Sequence, residues 1–387
     1  MQYLNRDIEP EAQSLSASFP VLTITGPRQS GKTTLARHLF PKLPYYNFEN
    51  PDTRLFAVQD PRRFLAGLPE GAILDEFQQV PEIVSYLQQV TDENRGKARF
   101  ILTGSNHFSM MERVSQSLAG RTGILKLLPF SLHELRNTAP VKTDDLLYTG
   151  FYPSIYADKT EPLKFYRNYY ETYLQKDVRQ LIQVRDLNLF DRFIRLCAGR
   201  IGSMLNLSSL ANDTGLSVTT IRQWLSVLEA SFILFLLPSF FDNISKRLIK
   251  SPKLYFYDPG LAGYLLGIAN GEQMSRDPLR GAIFENLVIT EVIKQRYNRG
   301  EDPSVFFFRD SHHSEVDLIM KNGHQLTAVE IKSSATFHPD FLKGLNYFDK
   351  LFGQRVSGLY LIYDGQLEQS GRIKILNYKT LAKEGVH

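Results

Sequence analysis

The stretch VLTITGPRQSGKTT, residues 21–34, drives a run of apolar β-formers straight into a glycine-rich loop that ends in Lys-Thr-Thr. It fits the G-x-x-x-x-G-K-[ST] pattern at every fixed position. Gly26 and Gly31 let the backbone curl so that its N–H groups, across Pro27, Arg28, Gln29 and Ser30, point inward on phosphate oxygens. Those oxygens lie at the positive end of the helix that starts near Lys32. Lys32 then reaches the β- and γ-phosphates, Thr33 offers its hydroxyl to Mg2+, and Thr34 closes the motif. The stretch predicts a strand, a phosphate-binding loop and a helix, with ATP and Mg2+ as the ligands.

Two further stretches extend this site. AILDEF, 72–77, ends an apolar strand in two acids, as a Walker B segment does. Asp75 is expected to hold Mg2+ through water, and Glu76 to orient or deprotonate the attacking water, so the pair points to hydrolysis rather than phosphoryl transfer to a small molecule. Taken singly, each acid is as well read as a loop-end cap. FILTGSN, 100–106, ends in Ser105 and Asn106, where an ATPase of this layout places a polar residue near the γ-phosphate. SLAGRTG, 117–123, supplies Arg121, a candidate charge-neutralising arginine acting within the subunit or across to a neighbour. An arginine pairing with a surface acid is the alternative.

At 387 residues the chain has length for two or three domains. Its 43% hydrophobic and 22% charged residues are globular composition. The formal charge of +4 is compatible with nucleic acid and equally with many other partners. Cys197, the single cysteine, permits no internal disulfide and reads as a small buried hydrophobe, which suits a reducing cytoplasm. The opening residues lack a basic-then-apolar signal. The most apolar run, FILFLLPSFF at 232–241, is far shorter than the roughly 20 residues that span a bilayer, so no membrane partner is expected.

From Val21 to about Leu128, short apolar runs alternate with helical patterns, the signature of a parallel sheet covered by helices on both faces. From about 160 to 200 the pattern becomes helical, with Tyr166, Tyr169, Tyr170 and Tyr173 as a core stripe or a base-stacking platform. Residues 207–229, LSSLANDTGLSVTTIRQWLSVLE, read as a helix, a turn at Gly215 and a second helix capped by Ser217. That is helix-turn-helix spacing, for DNA reading or for an internal helical hairpin. The segment ISKRLIKSPK, 244–253, forms a basic wing with Lys246, Arg247, Lys250 and Lys253, or a solvated hairpin.

The last third reads as an amphipathic helix, GAIFENLVITEVIKQ, then the strands SVFFFRD, SEVDLIMK and TAVEIKSS, a helix over about 338–352 and a strand, SGLYLIYD. Strand alternation puts Glu330 and Lys332 on one face, with Asp317 on the neighbouring strand. That face is either solvated or a metal site. His312 and His313 precede the second strand and read as exposed loop histidines.

GPRQSGKTT, ILDEFQ, ILTGSN and SLAGR resemble the AAA-type ATPase module of a large group of prokaryotic P-loop ATPases. YLQKDVRQL, KLYFYDPGL and GAIFENLV resemble the second module of that group, a C-terminal domain of unknown function, with Pro259 where a small polar residue is more usual. The resemblance covers nearly the whole chain. It implies an α/β architecture in three parts: an AAA-type P-loop ATPase core (1–140), a helical region with a winged-helix-like part (141–270) and a C-terminal restriction-endonuclease-like domain (271–387). In that last fold the order helix, three strands, helix, strand carries an acid on the second strand and acid-x-Lys on the third, matched by Asp317 and by Glu330 with Lys332, while Glu285 matches the helix acid.

Asp317 and Glu330, with the Ile331 carbonyl, would offer hard oxygen ligands to Mg2+, and Lys332 would orient or activate water or stabilise transition-state charge. The expected protein is an ATPase whose nuclease-like C-terminal domain acts on or binds nucleic acid, with DNA as a candidate partner. The alternative is a nucleotide-dependent regulatory or scaffold ATPase with an inert nuclease fold, binding DNA, a protein partner or further copies of itself. A small-molecule kinase is disfavoured, because Asp75 and Glu76 would admit water to the γ-phosphate.

Overall fold

We describe a computed structural model of the chain over residues 3–94, 99–104, 108–140, 142–178, 187–240 and 251–384. The chain divides into two compact units, one built on Met1–Phe130 with the short segments Ala230–Phe232 and Tyr297–Glu301, the other on the remainder. No helix of the described residues is long and apolar enough to cross a membrane.

The first unit is organised by strands β1 (Val21–Thr25), β2 (Tyr45–Asn47), β3 (Gly71–Asp75), β4 (Arg99–Thr103) and β5 (Thr122–Lys126). They form one sheet in the order β2-β3-β4-β1-β5, and every pairing is parallel. Alternate residues explain the layers. Val21, Ala72, Leu74, Phe100 and Leu102 pack on one side with Phe64, Val84, Leu87 and Val114. Leu22, Ile24, Ile73, Ile101 and Leu125 pack on the other with Ile8, Ala12, Leu35 and Ala36. A parallel sheet covered on both faces needs strands apolar at nearly every position, which is why VLTIT and AILD read as unbroken runs. The loops after β1 and β3 leave the same edge of the sheet, because all strands run one way.

In the second unit, helix Pro162–Tyr169 runs on into a π-helical stretch, Tyr170–Val178. Tyr166, Tyr169, Tyr170 and Tyr173 are all at most 3% exposed, the core stripe rather than a stacking platform. Helices Leu187–Ala198, Leu207–Thr214 and Val218–Ala230 follow. Gly215 ends the second in the left-handed region at φ 75°, and the Ser217 hydroxyl accepts from the Thr220 N–H at 3.1 Å as an N-cap. An antiparallel ribbon comes next, β6 (Leu234–Leu237) against β7 (Lys253–Phe256), with Met204 bridging to Lys253. Of the apolar run FILFLL, Leu234–Leu237 form a largely buried strand. Of the proposed wing, Lys246, Arg247 and Lys250 lie outside the described residues, as do Ser105 and Asn106 of the first unit. Lys253 is 4% exposed and opens a buried strand, so the solvated position expected for it is corrected.

The C-terminal sheet has the order β12-β11-β10-β9-β8, from β8 (Val305–Arg309), β9 (Glu315–Asn322), β10 (Gln325–Lys332), β11 (Val356–Tyr363) and β12 (Lys374–Asn377). The first three strands are antiparallel neighbours and the last three parallel ones. Helix Arg280–Asn298 precedes them and helix Lys343–Phe352 connects β10 to β11. β12 and the helix Tyr378–Glu384 extend the sequence expectation; KILN is too short a run to separate from loop.

A buried polar knot ties the second unit's helices. Asp258, 1% exposed, caps the helix Pro259–Leu265 by accepting from Leu261 N–H (3.0 Å), and also accepts from Phe151 N–H (2.8 Å) and from the Tyr166 hydroxyl (2.6 Å). Burial raises its carboxyl above the usual range against the pull of these donors and of Lys294. Cβ atoms at Gly150 or Gly260 would come within 2.0 or 2.3 Å of the Tyr166 oxygen, so both backbone segments approach this hydroxyl as glycine. Tyr166→Phe keeps the ring and removes a donor from a buried carboxylate, so the urea midpoint of the full-length protein is expected to drop by an amount worth about 1–3 kcal/mol.

Candidate functional site

The P-loop follows β1 at the C-terminal edge of the first sheet. Gly26 has φ 145°, and a Cβ there would lie 2.1 Å from the Leu127 carbonyl oxygen, so no side chain fits. Gly31, at φ 95°, is the residue from which helix Lys32–Leu39 starts. Lys32 is 6% exposed and donates to the carbonyls of Gly26 (3.1 Å) and Pro27 (2.7 Å). Burial pulls its ammonium down to about 8, although Glu76 and Asp75 oppose the shift. Arg6, 7% exposed, donates to Ser30 O (3.0 Å) and Leu128 O (2.7 Å) and so braces the loop from outside.

At the end of β3, two strands away, Asp75 is 4% exposed and accepts from Thr33 Oγ1 (3.0 and 3.1 Å), the Tyr45 hydroxyl (2.7 Å), Glu76 N–H (3.2 Å) and the Thr103 hydroxyl. Thr33 and Asp75 thus form a hard-oxygen pair of the kind Mg2+ takes together with water and phosphate oxygens. Glu76 sits at φ 53°, a left-handed conformation that costs a non-glycine residue on the order of 1–3 kcal/mol. Burial raises Glu76 above the usual carboxylate range against the attraction of Lys32, and Gln78 donates to it.

Arg121 lies elsewhere. β1 and β5 are in parallel register from Val21 with Thr122, and Arg121 O accepts from Val21 N–H at 3.1 Å. The arginine therefore stands at the N-terminal edge of the sheet and the P-loop at the opposite edge. It makes a bidentate pair with Asp92, at 2.6 and 2.9 Å. The within-subunit role expected for Arg121 is thereby corrected, because the strand order of a parallel sheet separates the two ends by the strand length.

The second cluster lies on the C-terminal sheet. Ile319 pairs with Ala328 and Leu318 with Val329, a register that carries Asp317 beside Glu330. On β10, Leu326, Ala328, Glu330 and Lys332 alternate onto one face, and Leu326 and Ala328 belong to the core with Leu345 and Phe348. That face is covered, not solvated: Asp317 is 7% and Glu330 8% exposed. Gly344 belongs to the covering helix, and a Cβ there would meet Glu315 O at 2.4 Å and Glu330 Oε2 at 3.3 Å.

Asp317 Oδ2 accepts the Ile331 N–H at 2.8 Å, and Lys332 Nζ contacts Glu330 Oε1 and lies 3.6 Å from Asp317 Oδ2. Glu330 Oε2 is buried without a hydrogen-bond partner. Glu285 faces the same group and accepts from Lys253 Nζ (3.1 Å) and the Tyr255 hydroxyl. Burial, then the charge of Asp317, push Glu330 up to about 8 and Glu285 up to about 7, against Lys332 and Lys253 respectively. Burial alone would lower both lysines, but the surrounding carboxylates outweigh it and hold them above their ordinary value.

Among the described residues no group of three or more His, Cys, Asp or Glu side chains is arranged to hold a metal ion. Two carboxylates suffice for Mg2+, which keeps several waters and takes the rest from substrate phosphate. Asp317 and Glu330 are such a pair, and the unpartnered Glu330 oxygen is the atom a cation would satisfy. His312 and His313 are exposed, with His313 Nδ1 3.0 Å from an Arg309 nitrogen.

Tyr45, Thr103 and Arg6 in the first site, and Lys253 and Tyr255 in the second, were missed from sequence. Each reaches its partner from another element, with no local spacing to mark it. Thr103 is a partial exception, as the last residue of a strand expected to end in a polar group.

Residues 18–136 match the family model described as AAA domain. Residues 140–272 and 280–381 match two described as domains of unknown function (DUF8612 and DUF4143). An uncharacterized protein of Mycobacterium tuberculosis and one of Mycobacterium bovis are each 30% identical over 353 residues, spanning 90% of this chain and 77% of the relative. The Walker-type ATPase of Pyrococcus abyssi aligns with a TM-score of 0.48 at 14% identity, over 68% of this chain and 96% of that one.

Lys32→Ala is expected to abolish tight ATP binding and turnover; unchanged hydrolysis would show that the loop has another role. Phosphate charge restores the proton that burial disfavours on Lys32, so ATP affinity should weaken as pH rises through about 8, and binding at pH 8.5 should take up protons. Calorimetry in buffers of different ionisation enthalpy reads that uptake directly.

Proposed function

The chain belongs to the family of the two mycobacterial proteins and carries an AAA-type P-loop ATPase domain in its first unit, and from this we propose that ATP hydrolysis at the P-loop controls a Mg2+-dependent phosphodiester site on the C-terminal sheet, acting on nucleic acid. Residues Gly26 to Thr34 hold the phosphates, Thr33 and Asp75 hold Mg2+, and Glu76 positions the attacking water. Contacts to the γ-phosphate order loops that hydrolysis releases, which is how nucleotide state can bias a second site on the same chain.

The observation that carries the second half is the buried, unpartnered Glu330 Oε2 beside Asp317 and Lys332. Strand order, with an acid on β9 and Glu-x-Lys on β10, supports a restriction-endonuclease-like fold. A bound Mg2+ would polarise the phosphodiester and stabilise the leaving oxygen. Asp317 and Glu330 hold it, Lys332 orients the attacking water or stabilises the developing charge, and Glu285 supports the cluster from its helix. Three helices followed by the β6–β7 ribbon support the reading of a winged-helix-like part. The second helix of its pair exposes Thr219, Arg222, Gln223 and Ser226 at helical spacing, a polar face suited to a DNA groove.

One observation favours a second reading, a regulatory or scaffold ATPase with an inert sheet: Lys332 contacts both Glu330 and Asp317, a cluster neutralised in part without metal. Purified full-length protein incubated with linear, nicked and single-stranded DNA, Mg2+ or Mn2+, with and without ATP, separates the two. Cleavage is expected, reduced on the order of 100-fold or more in Asp317→Ala and altered in its ATP dependence in Lys32→Ala. Cleavage that survives Asp317→Ala would sink the assignment of the site, and ATP turnover with no cleavage would leave the regulatory reading standing.

A further inference from the structure

Lys253 is the unexpected member of the C-terminal cluster. It comes from β7 of the ribbon, outside the helix and the strands that carry the other charged groups. Its side chain is 5% exposed, and Nζ lies 2.5 Å from Glu315 Oε1 and 3.1 Å from Glu285 Oε1. Arg309 takes the other Glu315 oxygen at 3.2 Å, and the Tyr255 hydroxyl donates to the Glu285 oxygen that Lys253 holds. Lys332 stands on the other side, against Glu330 and Asp317.

The acids therefore fall into two pairs with different partners. Glu285 and Glu315 share an enclosed ammonium and have further donors. Asp317 and Glu330 share the more open Lys332, one third exposed, and keep one oxygen with no partner. Metal-dependent phosphodiester sites use either one divalent ion or two ions about 3.5–4 Å apart, and a second ion needs carboxylate oxygens of its own. Here Lys253 already holds one oxygen of each of Glu285 and Glu315, and Arg309 holds the second oxygen of Glu315. We propose that Lys253 stands in the place of a second cation, so that the C-terminal cluster takes a single divalent ion, at Asp317 and Glu330.

Charge favours the same count. Glu285, Glu315, Asp317 and Glu330 face Lys253, Lys332 and Arg309, so the fully ionised cluster carries one uncompensated negative charge. One divalent ion turns that into a single positive charge, which matches the single negative charge of a phosphodiester. A second ion would leave a strongly positive enclosed site, with a steep desolvation cost. The ribbon thereby becomes part of the site, because without β7 the Glu285 and Glu315 pair has no ammonium.

The inference rests on the reading of this cluster as a divalent-cation site, and the test separates the two. Mn2+ is titrated into nucleotide-free full-length protein at pH 8.5, and bound ions are counted by the electron paramagnetic resonance of free Mn2+ and by calorimetry. One ion per chain that is lost in Asp317→Asn is expected in the wild type. Lys253→Met should take a second, and adding Glu285→Gln to that variant should return the count to one. Two Asp317-dependent ions in the wild type, or one in folded Lys253→Met, would overturn the proposal and leave the cation site intact. No Asp317-dependent ion in the wild type would overturn the cation site itself, and the proposal with it. Since Lys253 is buried, the wild-type count and Lys253→Arg, which keeps the charge and should keep one ion, decide the matter even where Lys253→Met does not fold.

Discussion

The Asp75 carboxylate, drawn out of water beneath four donors, is the constraint on which the first unit's site depends. A buried carboxylate is tolerated only where hydrogen bonds replace its water. The donors come from the helix after the P-loop (Thr33), from β2 (Tyr45), from β4 (Thr103) and from the backbone of Glu76. Satisfying one side chain thus fixes the relative height of β2, β3 and β4 and the start of the P-loop helix. The interposed β4 gives Thr103 its place, since it lies between the strand that carries the loop and the strand that carries the acid.

The same constraint operates differently in the second unit. Asp258 is satisfied by neutral donors, two N–H groups and a phenol, and it holds helices together. Asp317 and Glu330 are met chiefly by ammonium, with one oxygen left over. A structural acid is one whose lone pairs are matched within the fold; a buried acid left short of partners takes up a proton, as the raised Glu330 carboxyl reflects, or is matched by a cation from outside the fold. That difference, more than burial alone, separates the knot at Asp258 from the cluster at Glu330.

What could be read from sequence follows from how local each signal is. The loop from Gly26 to Thr34, the two acids closing β3, and the strand alternation that put Glu330 and Lys332 on one face all depend on neighbours a few residues away, and all were legible. So was the parallel sheet, since VLTIT, AILD and FILT are apolar at positions that would alternate in a half-solvated strand. For Arg121 the surface-acid pairing, one of the two readings open in sequence, is the one found within the chain, since a motif's order along the chain does not reveal at which end of a strand its side chain falls. Lys253 was misjudged because a basic segment reads as solvated, whereas its first strand residue turns inward to carboxylates on elements 32 and 62 residues further on. Long-range pairings of that kind leave no periodicity to detect.

Both sites rest with a lysine set against acceptors of its own chain, and the acceptors differ. Lys32 holds two carbonyl oxygens, neutral acceptors that a phosphate readily displaces, because hydrogen bonds to an ionised acceptor are about twice as strong. Nucleotide can therefore enter the first site without rebuilding it. Lys332, one third exposed, holds carboxylates that are themselves buried, and moving it off them leaves their charge uncompensated unless another charge takes its place. An anionic substrate alone cannot supply that replacement, for it would add negative charge to acids already in excess. Under the proposed function, a phosphodiester would therefore have to enter the second site together with a cation.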